Sequence, residues 1–287
     1  MSHTLTRREV IRAGLAAAVA GFPRPSFAAM EPGFGLGLVT YNVAKDWDLG
    51  TILRLCHESG FGAVEFRTTH AHGVERSLSP GERRDVGSRC RDAGMKQVSL
   101  GTTCEFQSPD AAVVRRNVAE CAEWVRLARD LGARGVKVRP NGLPEGVPVE
   151  RTLEQIGRAL AECGAVAGDH GVEIWVEVHG AGTKEPAAMR RIMDHCSHQS
   201  VGITWNSNDS DVKDGSVKEA FDLLGPFVRC AHITDLWSDY PYRELFGLFR
   251  QSGFAGFTLC EFHESVEAAE GKAWLRRYRD RWRELRS

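Results

Sequence analysis

Five times along this chain a helical stretch ends in glycine and an apolar run follows at once: ESGFGAVEF, DAGMKQVSL, LGARGVKV, DHGVEIWV and QSGFAGFTL. Glycine closes a helix by taking a left-handed conformation that other residues resist, so each occurrence reads as a helix stop feeding a strand. Strand-type runs recur eight times, at residues 34–42, 62–67, 96–102, 135–140, 172–179, 201–206, 228–234 and 256–263. Each is followed by a helical pattern such as SPDAAVVRRNVAECAEWVRLARDLG, with apolar or small residues three and four apart. The runs lack strict apolar–polar alternation, which points to a parallel sheet buried on both faces under helices. Eight βα units fit a closed (β/α)8 TIM barrel, an α/β fold, better than an open doubly wound sheet. No GxGxxG follows the first run, so the dinucleotide-binding fingerprint is missing. No linker interrupts the pattern, and residues 29–287 are expected to form one domain.

The first 28 residues read as an address. LTRREVIRAGLAAAVAGFPRPSFAA pairs Arg7 with Arg8, continues into a modest Ala/Gly-rich apolar run, and offers a small-x-small cleavage signal at Ser26 and Ala28. This is the pattern of a bacterial twin-arginine export signal cleaved after Ala28, so the expected location is the periplasm. Gly14, Gly21, Pro23 and Pro25 argue against a well-packed amphipathic helix here, and the run from Ala13 to Phe22 is too short to span a membrane.

With 287 residues and a net charge of −1, the chain has the length of one barrel and no electrostatic reason to bind nucleic acid or an anionic membrane. Its eight cysteines are scattered without CxxC spacing, which excludes a zinc cage or a disulfide framework and suits buried thiols. KAWLRRYRDRWRELRS is read as the eighth helix, with Trp274, Leu275, Tyr278 and Trp282 on the barrel and the arginines solvated. A subunit contact through it is a secondary role left open.

A barrel of this kind places its active site at the C-terminal ends of its strands. Those ends carry Tyr41-Asn42, Glu65-Arg67, Thr102-Thr103, Lys137-Arg139-Asn141, Glu177-His179, Asn206-Asn208-Asp209, His232-Asp235 and Glu261-His263. Glu177, Asn206, His232 and Glu261 fall on four successive strands. Two carboxylates, an imidazole and an amide oxygen make an oxygen-rich set suited to magnesium, manganese or cobalt, with zinc also compatible. Singly, such a glutamate is ordinarily a salt-bridge partner and such a histidine a hydrogen-bonded core residue. Four together at consecutive strand ends favour metal or catalytic work. Glu65 and Arg67 are expected to pair with each other.

WVEVHG, VGITWNSND, CAHITD and TLCEF together resemble the xylose isomerase-like TIM-barrel superfamily, which includes sugar phosphate isomerases/epimerases, ketose 3-epimerases and endonuclease-IV-type enzymes. RTTHAHGVE, with His70 and His72, and LGTTCEF are similar to exported members. The resemblance covers nearly all of the chain past the signal. It implies one divalent metal held by Glu177, Asn206, His232 and Glu261, where ketose epimerases use Glu, Asp, His and Glu. Asn206 departs from that pattern: an amide still ligates through its oxygen but removes one negative charge, which weakens the metal's hold and makes it a stronger Lewis acid. The resemblance also makes Asp209 a substrate contact first and a ligand second.

Such a site suits removal of a proton beside a carbonyl to give an enediolate, with Glu177 and Glu261 as catalytic bases on opposite faces. Lys137, Arg139, His179 and His263 are expected to bind substrate hydroxyls or an oxyanion. The expected substrate is a small carbohydrate without phosphate, since no glycine-rich phosphate loop is evident and an exported enzyme would not meet phosphorylated intermediates. Three readings stay open: an isomerase/epimerase, a lyase or hydratase on 3-keto-glycosides using the same enolate chemistry, and a non-catalytic periplasmic carbohydrate-binding barrel. An endonuclease is disfavoured by the acidic exported chain and its few strand-end histidines.

Overall fold

The computed structural model describes residues 33–287; the export signal expected over residues 1–28 lies outside them. Eight parallel strands close in chain order into a barrel: β1 Gly35–Val39, β2 Ala63–Arg67, β3 Gln97–Glu105, β4 Gly135–Arg139, β5 Glu173–Glu177, β6 Val201–Asn206, β7 Val228–Ile233 and β8 Phe257–Cys260. The helices that cover them are α1 Leu49–Ser59, α2 Pro80–Asp92, α3 Ala111–Leu131, α4 Val149–Asp169, α5 Pro186–Asp194, α6 Lys218–Leu224, α7 Tyr242–Gln251 and α8 Ala268–Arg286. The (β/α)8 barrel expected from the helix–glycine–strand repeats is the observed fold.

Local chemistry explains the boundaries. Gly60 and Gly132 end α1 and α3 at φ 78° and 74°, and their N–H groups close onto the last helical carbonyls. Asp48, Ser79 and Asp110 cap the N-termini of α1, α2 and α3, with Glu82 completing a reciprocal box at Ser79. β5 and β8 end at Glu177 and Cys260, short of the expected His179 and His263, and two further strands depart from expectation. β1 stops at Val39 because the Thr40 hydroxyl takes the Arg67 N–H at 2.9 Å and the chain makes one helical turn, Tyr41–Ala44. β3 runs past Thr102 to Glu105, which pairs in register with Arg139 of β4 beyond an irregularity.

Residues two apart on a strand share a face, and this builds the site. Inside the barrel, Val39, Ala63, Trp175, Cys230, Phe257 and Leu259 form a buried apolar cluster separate from the main helix–sheet core. Two residues beyond Ala63, Trp175, Cys230 and Leu259 come Glu65, Glu177, His232 and Glu261. The apolar layer thus forms a floor, and the ionisable residues stand on it toward the C-terminal ends. Gly135 keeps that floor tight, since a Cβ there would lie 2.4 Å from the Trp175 ring.

All eight cysteines are buried and free. In α8, Leu275, Tyr278 and Trp282 are buried as expected, and the Tyr278 hydroxyl donates to the carbonyls of Ile233 and Thr234 at 3.0 and 2.7 Å, fixing the end of β7 just past His232. Among the described residues no helix is long and apolar enough to cross a membrane.

Candidate active site

His232 is fully buried and surrounded by carboxylates. Its Nδ1 lies 3.2 Å from Glu261 Oε2 and 3.5 Å from Glu177 Oε1, and its Nε2 lies 3.3 Å from Glu65 Oε1. None of these contacts is aligned as a hydrogen bond, so both ring nitrogens and Glu65 Oε1 are buried polar atoms without a partner. Glu177, His232 and Glu261 each offer one donor atom, all within 4.8 Å of one another. Two carboxylate oxygens and an unpartnered imidazole Nδ1 fit a divalent cation by donor chemistry and by the orphaned nitrogen.

Electrostatics fix the charge state of this cluster. Burial pushes the Glu177 carboxyl up, but the Lys137 ammonium and then His232 outweigh it and hold the carboxyl well below the usual carboxylate range. Burial likewise pushes Glu65 up, and His232 and Lys137 bring it below its ordinary value. For His232 burial favours the neutral ring, yet Glu261 and Glu65 draw its proton affinity well above normal. A cation bound among these carboxylates would reverse that pull and leave Nδ1 as a ligand.

Asn206 sits at the edge of the cluster, its Nδ2 3.4 Å from Glu177 Oε1. It is held by the turn that follows. Asn208 donates its side-chain N–H to Val178 O at 2.7 Å and its backbone N–H to Asp211 Oδ2 at 2.9 Å. Tyr240 donates its hydroxyl to the same Asp211 oxygen at 3.0 Å and accepts the indole N–H of Trp205 at 3.1 Å. Burial pushes the Asp211 carboxyl up to about 7 against the lowering effect of those donors. The NSNDSD segment is therefore both a turn and a wall of the site.

Above the cluster opens a cavity of about 360 Å³. Glu177, Glu261, Asn206, His179, Arg139 and His263 line it, as expected from their strand-end positions. Tyr41, Arg67, Ser207, Asn208 and Thr234 line it as well. Two expected substrate contacts stand elsewhere. Lys137 is fully buried and gives its ammonium to Glu177 Oε2 at 2.5 Å, below the cavity, because its inward position lies one pleat deeper than Arg139. Asp209 points outward, with its side chain 84% exposed and paired with Lys184, because the turn buries Asp211 in its place. The expected Glu65–Arg67 pair does not form either: Glu65 turns inward to His232, and Arg67, two residues on, reaches the cavity. Glu65 was legible as AVEF, a glutamate hemmed by apolar residues like Glu177 in WVEV. Asp211 had no comparable signal, since its partner Tyr240 is 29 residues away.

The family described as a xylose isomerase-like TIM barrel matches residues 53–278. No curated protein matches the sequence. Among solved structures, a D-psicose 3-epimerase crystallised in the presence of D-fructose is similar at TM-score 0.74 and 15% identity, over 88% of this chain and 99% of that one. D-psicose 3-epimerase from Clostridium cellulolyticum H10, solved with D-tagatose, is similar at TM-score 0.73 and 12% identity, over 88% and 100%. The IOLI protein with a binding zinc atom is similar at TM-score 0.72 and 16% identity, over 88% and 98%.

Proposed function

The chain belongs to the xylose isomerase-like TIM barrel family, and from that premise we propose that it is a divalent-metal-dependent isomerase or epimerase of a non-phosphorylated sugar or keto-sugar, working through an enediolate. The observation that carries this reading is the triad of buried Glu177 and His232 with the partly exposed Glu261 at the bottom of the mouth cavity. Glu177, His232 and Glu261 would hold the ion, with Asn206 a fourth donor if its amide presents oxygen. A bound divalent ion supplies polarisation of a substrate carbonyl, which acidifies the neighbouring C–H.

The residues of the chain divide the remaining work. Glu261 opens on the cavity and among the described residues has His232 as its one ionic neighbour, so it is the carboxylate placed to take the proton. Glu177 is kept ionised by Lys137 and closes the opposite side. His179 and Arg139 reach the same cavity and are placed to orient substrate hydroxyls. The unequal state of the two glutamates supports a second reading. One free and one tethered carboxylate suit abstraction followed by loss of a leaving group, a lyase on 3-keto-glycosides, as well as they suit proton return on the other face.

Incubation with aldoses, ketoses and 3-keto-glycosides in D₂O, followed by NMR, tests both. Deuterium next to the carbonyl with the skeleton intact is the expected result; release of the aglycone selects the lyase. The enediolate proposal fails if metal-depleted protein turns over at full rate. Periplasmic export by the twin-arginine route belongs to the same proposal, supported by Arg7, Arg8 and the Ser26–Ala28 signal. Its check is the mature N-terminus by mass spectrometry in a bacterial host, expected at Ala29; an intact Met1 or Ser2 terminus in secreted-competent cells overturns it.

A further inference from the structure

The RTTHAHGVE segment takes no part in the carboxylate cluster, yet it is built with care around one side chain. The Arg67 N–H donates to Thr40 Oγ1 at 2.9 Å, and the Arg67 carbonyl lies 2.9 Å from His72 Nε2. His72 Nδ1 accepts the Val74 N–H at 3.0 Å, which makes Nε2 the protonated nitrogen and the donor to Arg67. Burial and then His70 lower the His72 pKa to about 4, so the ring keeps that neutral tautomer. Glu75 closes the loop by accepting from the Thr68 hydroxyl at 3.0 Å. A residue held from both sides in this way has a fixed origin for its side chain.

That side chain has nothing to bind. Among the described residues the Arg67 guanidinium makes no ion pair and no hydrogen bond, and its Nε is buried without a partner. It lies over the exposed Tyr41 ring, whose centroid is 5.6 Å away. Of the five donors an arginine carries, the buried Nε is the one that solvent does not reach, and leaving it unpaired is costly. Space is cleared for it as well: a Cβ on Gly101 would stand 2.8 Å from Arg67 Cδ.

Charge balance points the same way. In the carboxylate cluster Lys137 is paired with Glu177, and Glu65, Glu177 and Glu261 all face His232. Arg139 is matched by Glu105. Among the described residues Arg67 is left as a cavity-wall cation without an ionic partner, on β2, across the mouth from β5–β8.

We propose that the substrate carries an anionic oxygen group, a carboxylate foremost, which Arg67 binds at the β2 side of the cavity while the carbon that loses its proton lies over the Glu177–His232–Glu261 cluster. The favoured class is thus a sugar acid rather than a neutral sugar. A carboxylate matches the single unpaired charge and the planar fork of a guanidinium; a phosphate shares the chemistry with a second negative charge. This rests on the reading of the cavity as a carbohydrate site.

Equilibrium binding tests it without requiring turnover. D-glucuronate, D-glucose and D-glucose 6-phosphate are titrated, by calorimetry or saturation-transfer NMR, into the metal-loaded wild type, Arg67→Gln and Arg67→Lys. A charge-assisted hydrogen-bonded pair corresponds to a preference of about 10- to 100-fold for the acid over glucose. The expected result is that preference in the wild type, its loss in Arg67→Gln, and partial retention in Arg67→Lys, which keeps the charge should the Gln variant fold poorly. Tighter binding of the phosphate than of glucuronate, again lost in Arg67→Gln, supports the anion site with phosphate as its group. Equal binding of acid and neutral sugar, a preference that survives Arg67→Gln, or no binding of either anion overturns the proposal. Acid preference without deuterium exchange on any sugar leaves this inference standing and removes the proposed reaction instead.

Discussion

Strand β4 marks a border inside the barrel mouth. It carries Lys137 and Arg139 two residues apart on one face, and the two cations turn opposite ways: Lys137 to Glu177 on β5, Arg139 to Glu105 on β3. On the β5–β8 side, joined from below by Glu65 of β2, the charges are buried against one another, with Lys137, His232 and Glu65 showing no exposure at all. On the β2–β4 side Arg67, Glu105 and Arg139 are partly exposed, and the two arginines line the cavity. A buried charge has its protonation state set by its neighbours and can do chemistry in that state. A partly exposed cation keeps its charge in any case and is suited to recognising what enters. The mouth thus separates a chemical arc from a recognition arc, and each can be perturbed alone.

The sharpest break between the arcs is expected from Glu261→Gln. It removes the carboxylate proposed to carry the proton and should lower kcat by about 10²- to 10⁴-fold with little change in KM. Arg139→Gln, on the other arc, should instead raise KM and leave kcat within a few fold. Steady-state kinetics on any substrate found by deuterium exchange reads both; equal kcat losses in the two variants would erase the division.

Lys137→Met comes next and acts on stability. It leaves Glu177 and Glu65 buried without their cation, at a cost of about 3–5 kcal/mol by analogy with other broken buried pairs. Denaturant unfolding of metal-free protein measures it. The double variant Lys137→Met with Glu177→Gln should recover part of the loss, because the uncompensated charge goes with the carboxylate. Additive losses would mean that Lys137 serves packing alone.

Glu65 offers a gentler test of the chemical arc. It stands at Nε2 of His232, on the side away from Glu177 and Glu261, and is placed to keep the proton there and free Nδ1 for an ion. Glu65→Leu should weaken metal binding by about 10- to 100-fold in a competition assay with a chelating dye, with Glu65→Gln falling between. Unchanged affinity in the Leu variant would confine Glu65 to a structural role.

Much of this was readable from the chain, and the reasons are specific. ESG, DAG and DLG before apolar runs announce helix stops that only glycine closes well, so the βα count and the barrel followed. Glu177, Asn206, His232 and Glu261 were visible because a barrel collects strand ends in one place, whatever the helices do. Lys137 and Glu65 were misread for a reason rooted in the same fold. Parallel barrel strands are buried on both faces, so sequence shows no alternation from which depth below the rim can be read. The partner of Glu65 lies on β7, far along the chain, whereas Arg67 is two residues away and looks like the natural mate.

The turn after β6 shows the same limit on a finer scale and supplies the smallest effect. Asp209 and Asp211 look alike in NSNDSD, but one 3-10 turn exposes the first and buries the second beneath Tyr240. The Asp211 carboxyl, raised from 3.8 to about 7, holds its proton in the folded protein over a range where the unfolded chain has released it. Its contribution to stability is therefore full below about pH 4, declines as pH rises toward 7, and changes no further above that. Between pH 6 and pH 8 the decline amounts to about 1 kcal/mol. Asp211→Asn should lack this component, so the difference in unfolding free energy between wild type and variant should drift by that amount in favour of the variant as pH rises. A difference that stays constant from pH 6 to pH 8 would show that Asp211 is ionised throughout and that Asn208 and Tyr240, rather than burial, set its state.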